Sequence, residues 1–426
     1  MTSQRWNRRD FVRMGVVGGG AALAGFSSGD VPTPGEQPAA PKVLYRTLGR
    51  TKLKVSEIGV GSFGFSNSDV ANAALSAGMN FVQSCADYQE GNAERALGKV
   101  LEKRRKEAVV ATGWTLKADA TKQQILELLD QSLERLKIKD VDIMLTHMTN
   151  TLAQVKNPAI LEAFDEAKKA KKAAFLGVTS HGGEITKVIE YAVENGKFDV
   201  VICKYNFMEA EGLEAALEKA AKKNLGIAAF KSEAGKRELA DFEKKGLTEA
   251  QATVRWVLKN PAVASVLRLF NKFEDIKDAL EIMSRKFGPE EAAMLDRYKE
   301  EFGSRYCRYC GKCDGLCPNG VAVSEVMRYA MYFKYYGREK DSMGLYAALE
   351  PGVRANPCRD CPGHCERGCP YGVNVRTQLA EAHGLLTMPE KTLGNLEGLL
   401  AGASKTSDEE IERAKYHFKW EGEVIR

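Results

Sequence analysis

The chain has 426 residues, 44% of them hydrophobic, enough for a large core that needs no covalent staples. A formal net charge of +5, with bases interleaved among acids as in "EKRRKE" and "DEAKKAKKA", argues against a nucleic-acid-binding face and marks solvated helix surfaces. Eight of the ten cysteines crowd into residues 307–369, which argues against a disulfide framework spread through the fold.

At the N-terminus, "NRRDFVR" (7–13) resembles the twin-arginine export motif, with Arg8 and Arg9 preceding an aromatic and an apolar residue. The apolar run from Met14 to Ala24 is shorter than the roughly 20 residues a bilayer span needs. "ALA" at 22–24 offers a small-residue cleavage site. The alternative is an ordinary secretory signal whose basic region holds Arg8 and Arg9. Residues 1–29 are therefore expected to be a signal peptide, and the protein periplasmic or otherwise extracytoplasmic. The resemblance implies export of a chain already folded around its cofactors. The Pro-, Gly- and Ser-rich "SSGDVPTPGEQPAAP" (27–41) reads as a linker after the signal, its bounds set at 30–43. No other segment reads as a membrane span.

Residues 44–290 alternate short apolar runs with amphipathic helical stretches such as "QQILELLDQSLERLK". Eight runs read as strands: 56–63, 80–86, 108–114, 141–147, 173–180, 198–205, 226–232 and 263–269. Eight βα units over this length predict an α/β fold, a (β/α)8 TIM barrel, whose active site gathers at the C-terminal ends of its strands. Cys85 and Cys203 sit singly in two of these runs and read as small buried hydrophobes.

Three stretches of the barrel resemble the aldo-keto reductases: "YRTLGRTKLKVSEIGVGSFGF" (45–65), "GMNFVQSCADYQEGNAERALGKVL" (78–101) and "VDIMLTHM" (141–148). That resemblance implies hydride transfer from NADPH to a carbonyl. The family uses an acidic tyrosine, a lysine that lowers its pKa, an aspartate paired to the lysine, and a histidine that orients the substrate. Matched position by position, the tyrosine is Tyr88 and the histidine His147, but Gln83 replaces the aspartate and Gly113 the lysine. Losing both members of an ion pair strands no buried charge. Without the lysine, Tyr88 is expected to be a poorer acid near neutral pH. Lys204 and Lys231, at the ends of strands six and seven, are candidate substitutes, or else ordinary surface or salt-bridged lysines.

The resemblance places Phe230 as the aromatic that stacks on a nicotinamide ring, and Thr179 and Ser180 as the pair that holds its carboxamide. Ile202 replaces the family's strand-six glutamine. The phosphate loop after strand eight, "VLRLFNKFED", has no glycine, although Arg268 and Lys272 could still meet a phosphate. NADP(H) is therefore in doubt as a cofactor. His181, in "GVTSHGG", is either a substrate contact or a solvent-facing side chain.

Beyond the barrel, Cys307, Cys310, Cys313 and Cys317 read C-x2-C-x2-C-x3-C-P. Cys358, Cys361, Cys365 and Cys369 read C-x2-C-x3-C-x3-C-P. The first run is that of bacterial two-cluster ferredoxins. Zinc, which also takes C-x2-C pairs, and disulfides are the alternatives, and the trailing C-x3-C-P argues against zinc. The resemblance to a double [4Fe–4S] ferredoxin implies crossed ligation. Cys307, Cys310, Cys313 and Cys369 would hold one cluster; Cys358, Cys361, Cys365 and Cys317 would hold the other. "VAVSEVMRYAMYFKYYG" between the runs reads as helical, so residues 298–385 are expected to form a small, mainly helical ferredoxin-like domain, with 386–426 a helical tail.

Together these readings predict an exported iron–sulfur oxidoreductase. It would act on a small carbonyl- or hydroxyl-bearing substrate in the barrel and exchange electrons with a redox partner protein or carrier through two [4Fe–4S] clusters. The alternatives are a non-catalytic electron-transfer or assembly subunit built on a degenerate barrel, and a plain NADPH-dependent reductase.

Overall fold

The structure is a computed structural model that describes residues 42–387, apart from 64, 66, 211, 234–238, 240, 241, 243–245 and 336–338. The expected signal peptide, nearly all of the linker and all but the start of the expected tail lie outside the described residues. The eight apolar runs form eight parallel strands: β1 (Ile58–Gly61), β2 (Phe81–Gln83), β3 (Val109–Thr115), β4 (Val141–His147), β5 (Ala173–Ser180), β6 (Val200–Lys204), β7 (Gly226–Phe230) and β8 (Val263–Leu269). Each pairs with the next, and β8 closes onto β1 with Val266 opposite Ile58, so the sheet is a closed barrel. Alternate residues point inward, and Phe81, Ala111, Ile143, Leu145, Val200, Ile202 and Ala228 pack as one buried cluster.

A two-stranded hairpin, Tyr45–Thr47 with Lys54–Ser56, plugs the bottom of the barrel, putting Leu48 and Val55 into the same cluster. Gly226 gives Leu48 the room: a Cβ there would stand 2.6 Å from the Leu48 Cγ. Arg50 ties the plug to Asp199 at 3.1 Å, and Arg46 ties it to Glu57 at 2.6 Å and the Val263 carbonyl at 2.8 Å. With the bottom sealed, the C-terminal mouth is the accessible end.

The barrel's packing runs past the expected boundary at 290. Helix Pro289–Phe302 continues through that point and lays Met294, Leu295 and Tyr298 against Ala252, Phe207 and Met208. Arg255, buried in helix Glu249–Lys259, reaches Glu291 at 3.3 Å. An apolar stripe of this helix matches the barrel surface, which is why periodicity alone could not assign it to either domain.

Past residue 302 the described residues contain no strand. Helices Val323–Tyr335, Glu339–Ala348 and Val375–Leu386 pack around Val323, Val326, Tyr346, Val375 and Leu379. Cys313, Cys358 and Cys365 are buried in that core, while Cys307, Cys317 and Cys369 pack at its edge. Among the described residues no helix is long and apolar enough to cross a membrane.

Candidate active site at the barrel mouth

The mouth is built from strand ends. β2 leads into the turn that carries Tyr88, and β4 ends at His147. The Tyr88 hydroxyl lies 3.2 Å from His147 Nε2, with the rings edge to face at 5.3 Å. On its far side, His147 Nδ1 lies 3.0 Å from the Thr179 hydroxyl, which also accepts the Met148 N–H at 2.9 Å. The histidine is thus held at both nitrogens. Burial, with the charge of Lys231 adding to it, lowers the His147 pKa to about 3, so the ring is neutral. Burial also raises Tyr88, and Cys85 and Asp87 push the same way, so the phenol keeps its proton.

No cation stands beside Tyr88 on the β3 side. A Cβ on Gly113 would lie 2.0 Å from the Leu145 carbonyl oxygen, so the backbone of β3 as it stands excludes any side chain there. Gln83 is buried and donates to the Ser84 carbonyl at 2.7 Å. The nearby carboxylate of Asp87 is occupied by the Thr115 N–H at 2.9 Å and the Thr115 hydroxyl at 2.6 Å.

The cations lie on the opposite side. Lys204 ends β6 and is ion-paired with Glu209, as the salt-bridged reading expects. Lys231 follows β7 in the left-handed region, with φ +51°. Its carbonyl accepts from Asn206 at 3.1 Å, but its side chain has no hydrogen-bond or ion-pair partner among the described residues. Burial lowers it to about 7, helped by the positive Lys204 and Arg328 and opposed by Glu209. His181 lies 3.0 Å from the Met148 sulfur and edge to face with Phe230 at 5.6 Å. Burial and the charges of Lys231 and Lys204 lower its pKa, so it too is neutral. It lines the mouth and is half-buried.

A cavity of about 760 Å³ fills this mouth, lined among others by Tyr88, His147, Thr179, Phe230 and Lys231. Phe230 lines the cavity, edge to face with His181. Ser180 does not line the cavity, and its buried hydroxyl has no hydrogen-bond partner among the described residues. Thr179 is committed to His147. The expected carboxamide pair is therefore not presented as two free polar groups. The reason is that the residue pattern cannot show which way a strand end turns.

The phosphate end of the cavity is already filled with charge. Arg268 is clamped by Asp278 at 2.5 Å and Glu233 at 3.2 Å. The N–H groups of Asn271 and Lys272, opening helix Phe273–Met283, both donate to Asp275, at 2.8 and 3.0 Å. The carboxylate of Asp275 thus takes the helix N-terminal position where an anion would bind.

The cysteine-rich domain closes over this mouth. Tyr332 from helix Val323–Tyr335 lines the large cavity and lies within electrostatic reach of Tyr88. Lys204 Nζ donates to the Arg308 carbonyl at 3.3 Å, Arg308 donates to the Met208 carbonyl at 3.2 Å, and the Tyr306 hydroxyl donates to Glu209 at 2.5 Å. A Cβ on Gly183, just past β5, would stand 3.5 Å from the Cys310 carbonyl oxygen. The first cysteine run therefore sits on the rim. Tyr332 and Arg308 lie so far along the chain from Tyr88 that no local pattern could assign them to this mouth.

Within that domain the eight thiols fall into two sets. Cys307 is within electrostatic reach of Cys310 and Cys369, and Cys313 of Cys307 and Cys310. Cys358 is within reach of Cys317, Cys365 and Cys361, and Cys365 of Cys317 and Cys361. Burial pushes Cys307, Cys313 and Cys358 up to about 12, and neighbouring thiols add to this. Backbone N–H groups approach three sulfurs, Tyr309 to Cys307 and Val373 to Cys369 at 3.4 Å and Gly363 to Cys361 at 3.5 Å. All eight are free thiols, and among the described residues no three His, Cys, Asp or Glu close around a point as the ligands of one ion do.

Residues 58–235, which lie within the barrel, match the Aldo/keto reductase family. The chain is similar to the uncharacterized oxidoreductase YqkF of Bacillus subtilis, 22% identical over 60% of this chain and 96% of that protein. It is also similar to L-galactose dehydrogenase of Arabidopsis thaliana, 30% identical over 41% of this chain and 60% of that one. Among solved structures it shares its fold with an aldo-keto reductase from Klebsiella pneumoniae in complex with NADPH. That likeness has a TM-score of 0.51 and 18% identity, and covers 60% of this chain and 95% of the other.

Proposed function

We propose that this oxidoreductase interconverts carbonyl and hydroxyl groups on a small molecule in the barrel, and that two [4Fe–4S] clusters in the C-terminal domain exchange the electrons with an outside partner. The observation that carries the reading is the seating of one thiol set on the rim of the mouth that holds Tyr88 and His147. Cys307, Cys310, Cys313 and Cys369 would hold the nearer cluster, and Cys317, Cys358, Cys361 and Cys365 the farther. Such clusters relay electrons one at a time, at potentials set in part by hydrogen bonds to their sulfurs. The donor chemistry fits: four thiols per set, with backbone N–H groups approaching three of the sulfurs. Buried thiols that resist ionisation also need a cationic centre to become thiolates.

The chain's own residues handle binding and protons. Carbonyl and hydroxyl interconvert by two electrons and two protons. His147, neutral and held at both nitrogens, is placed to orient a substrate oxygen, with the protonated Tyr88 hydroxyl beside it. Lys231 is the group poised to give or take a proton near neutral pH. The twin-arginine motif at Arg8 and Arg9 supports export of the folded, loaded protein.

A plain NADPH-dependent reductase is the second reading, favoured by the family match and by the size of the cavity. Against it stand the excluded side chain at Gly113 and the carboxylates of Asp275, Glu233 and Asp278 at the phosphate end. A non-catalytic subunit is disfavoured by the intact Tyr88–His147–Thr179 chain. The deciding experiment is anaerobic purification, with about eight irons and eight sulfides expected per chain. Turnover should then follow a low-potential dye and not NADPH. Fast NADPH oxidation with a simple aldehyde, retained after cluster removal, would establish the plain reductase instead.

A further inference from the structure

A second cavity, of about 350 Å³, lies between the barrel rim and helix Val323–Tyr335. It shares His181, Lys231 and Glu233 with the large cavity, so the two are continuous. Its charges sort into paired and unpaired. Lys204 is ion-paired with Glu209, Glu233 with Arg268 at 3.2 Å, and Glu184 with Lys187 at 2.8 Å. Lys231 and Arg328 are left, one from each domain, and the side chain of neither has a hydrogen-bond or ion-pair partner among the described residues. Glu325, on the helix of Arg328, feels its charge without pairing to it. Two cations facing one cavity from opposite walls repel each other, and the charge of Arg328 pushes Lys231 toward losing its proton. The acids of the same walls are committed to other cations, and although Glu209 lies within electrostatic reach of Lys231 it pairs with Lys204, so an external anion would complete the two cations.

We propose that this smaller cavity binds the carboxylate of the substrate, which is therefore a hydroxy acid or oxo acid whose reacting oxygen lies at Tyr88 and His147. The proposal rests on the oxidoreductase reading above and deepens it. The planar fork of Arg328 matches a carboxylate, and Lys231 supplies a point charge at the junction of the two cavities. Glu209 and Glu233 on the same walls disfavour a dianion, which selects carboxylate over phosphate. Because the cavity is walled by both domains, an acid seated there bridges the barrel and the domain that carries the cysteines.

The test is calorimetric binding to the anaerobic full chain, using 2-hydroxy and 2-oxo acids of two to six carbons, each compared with its neutral amide. Losing a hydrogen bond to a charged group corresponds to about tenfold or more in affinity. The wild type should prefer at least one acid over its amide by that factor. Arg328→Gln and Lys231→Gln should each abolish the preference, and Arg328→Lys should restore part of it. Tyr88→Phe should keep the preference while lowering turnover, since it leaves the carboxylate seat intact. Circular dichroism and the visible spectrum check that each variant is folded. Equal binding of acid and amide, no binding of any acid, or a preference unchanged in Arg328→Gln would overturn the inference. Binding is read without turnover, so acid preference with no dye-linked activity would sink the oxidoreductase reading alone. Dye-linked activity on neutral carbonyls only would sink the carboxylate seat alone.

Discussion

The two sides of the barrel mouth differ in one respect that governs the rest: where the cation is. On the side of β2 to β4, Tyr88, His147 and Thr179 form a neutral hydrogen-bonded chain, with no ion pair to a lysine among the described residues. On the side of β6 and β7, Lys204 and Lys231 stand under the cysteine-rich domain, which adds Arg328. The first side keeps the polar groups that, on the proposed reading, would meet a substrate oxygen, without an ion-paired cation to tune them. The second has charge, and the nearer set of thiols, but none of the family's reacting groups. Hydrogen-bonding groups and charge are thus split across the mouth. The split follows from β3, whose close approach to β4 at Gly113 leaves no room for a side chain.

The largest expected effect tests the second side. Cys369→Ala should remove the iron held with Cys307, Cys310 and Cys313, about four of about eight atoms, and abolish dye-linked turnover. Cys317→Ala should remove the other half and leave the rim set loaded. Iron analysis with low-temperature spectroscopy separates the two, and identical losses would show that the sets are not independent.

Next in size, Tyr88→Phe and His147→Ala should each lower turnover by about 10²–10⁴-fold while iron content stays at wild type. A loss of iron in either variant would mean that the neutral side is structural support for the domain above it. Gly113→Ala should destabilise the protein by about 1–3 kcal/mol in denaturant titration, because its Cβ meets the Leu145 carbonyl. Gly113→Lys should fail to create NADPH-dependent reductase activity. Success there would show that the cation can be moved back.

The smallest effect is a pH slope. Lys231 sits at about 7 in the folded protein against an ordinary 10.5, so between those values the unfolded chain holds the extra proton and stability rises with pH. Lys204, Arg328, Glu209, Glu233, His147 and His181 surround it. Of these, Lys204 and Arg328 push it down, and Glu209 pushes it up. Lys231→Met should flatten the rise of melting temperature above pH 7. In the wild type, carboxylate affinity should fall as pH rises through about 7, where the free lysine loses its charge. A slope unchanged in Lys231→Met would place the titration elsewhere.

Much of this molecule was legible in the chain itself. All eight strands lie in the eight apolar runs, because buried parallel strands need continuous β-branched and aliphatic stretches that leave a local trace. Tyr88 and His147 follow strand ends and so were legible as mouth residues. The helix from Val323 was legible because its apolar spacing is also local. The tertiary structure alone decided which polar groups meet. Thr179 is turned onto His147, Asp275 captures its own helix N-terminus, Glu233 and Asp278 neutralise Arg268, and Lys231 is left unpaired. It alone brought Tyr332 and Arg328 over the barrel and carried the first barrel helix pattern past 290 into helix Pro289–Phe302. Strand formation depends on neighbours a few residues away, whereas the pairing of a charge depends on the packing of elements hundreds of residues apart, which no spacing within the sequence records.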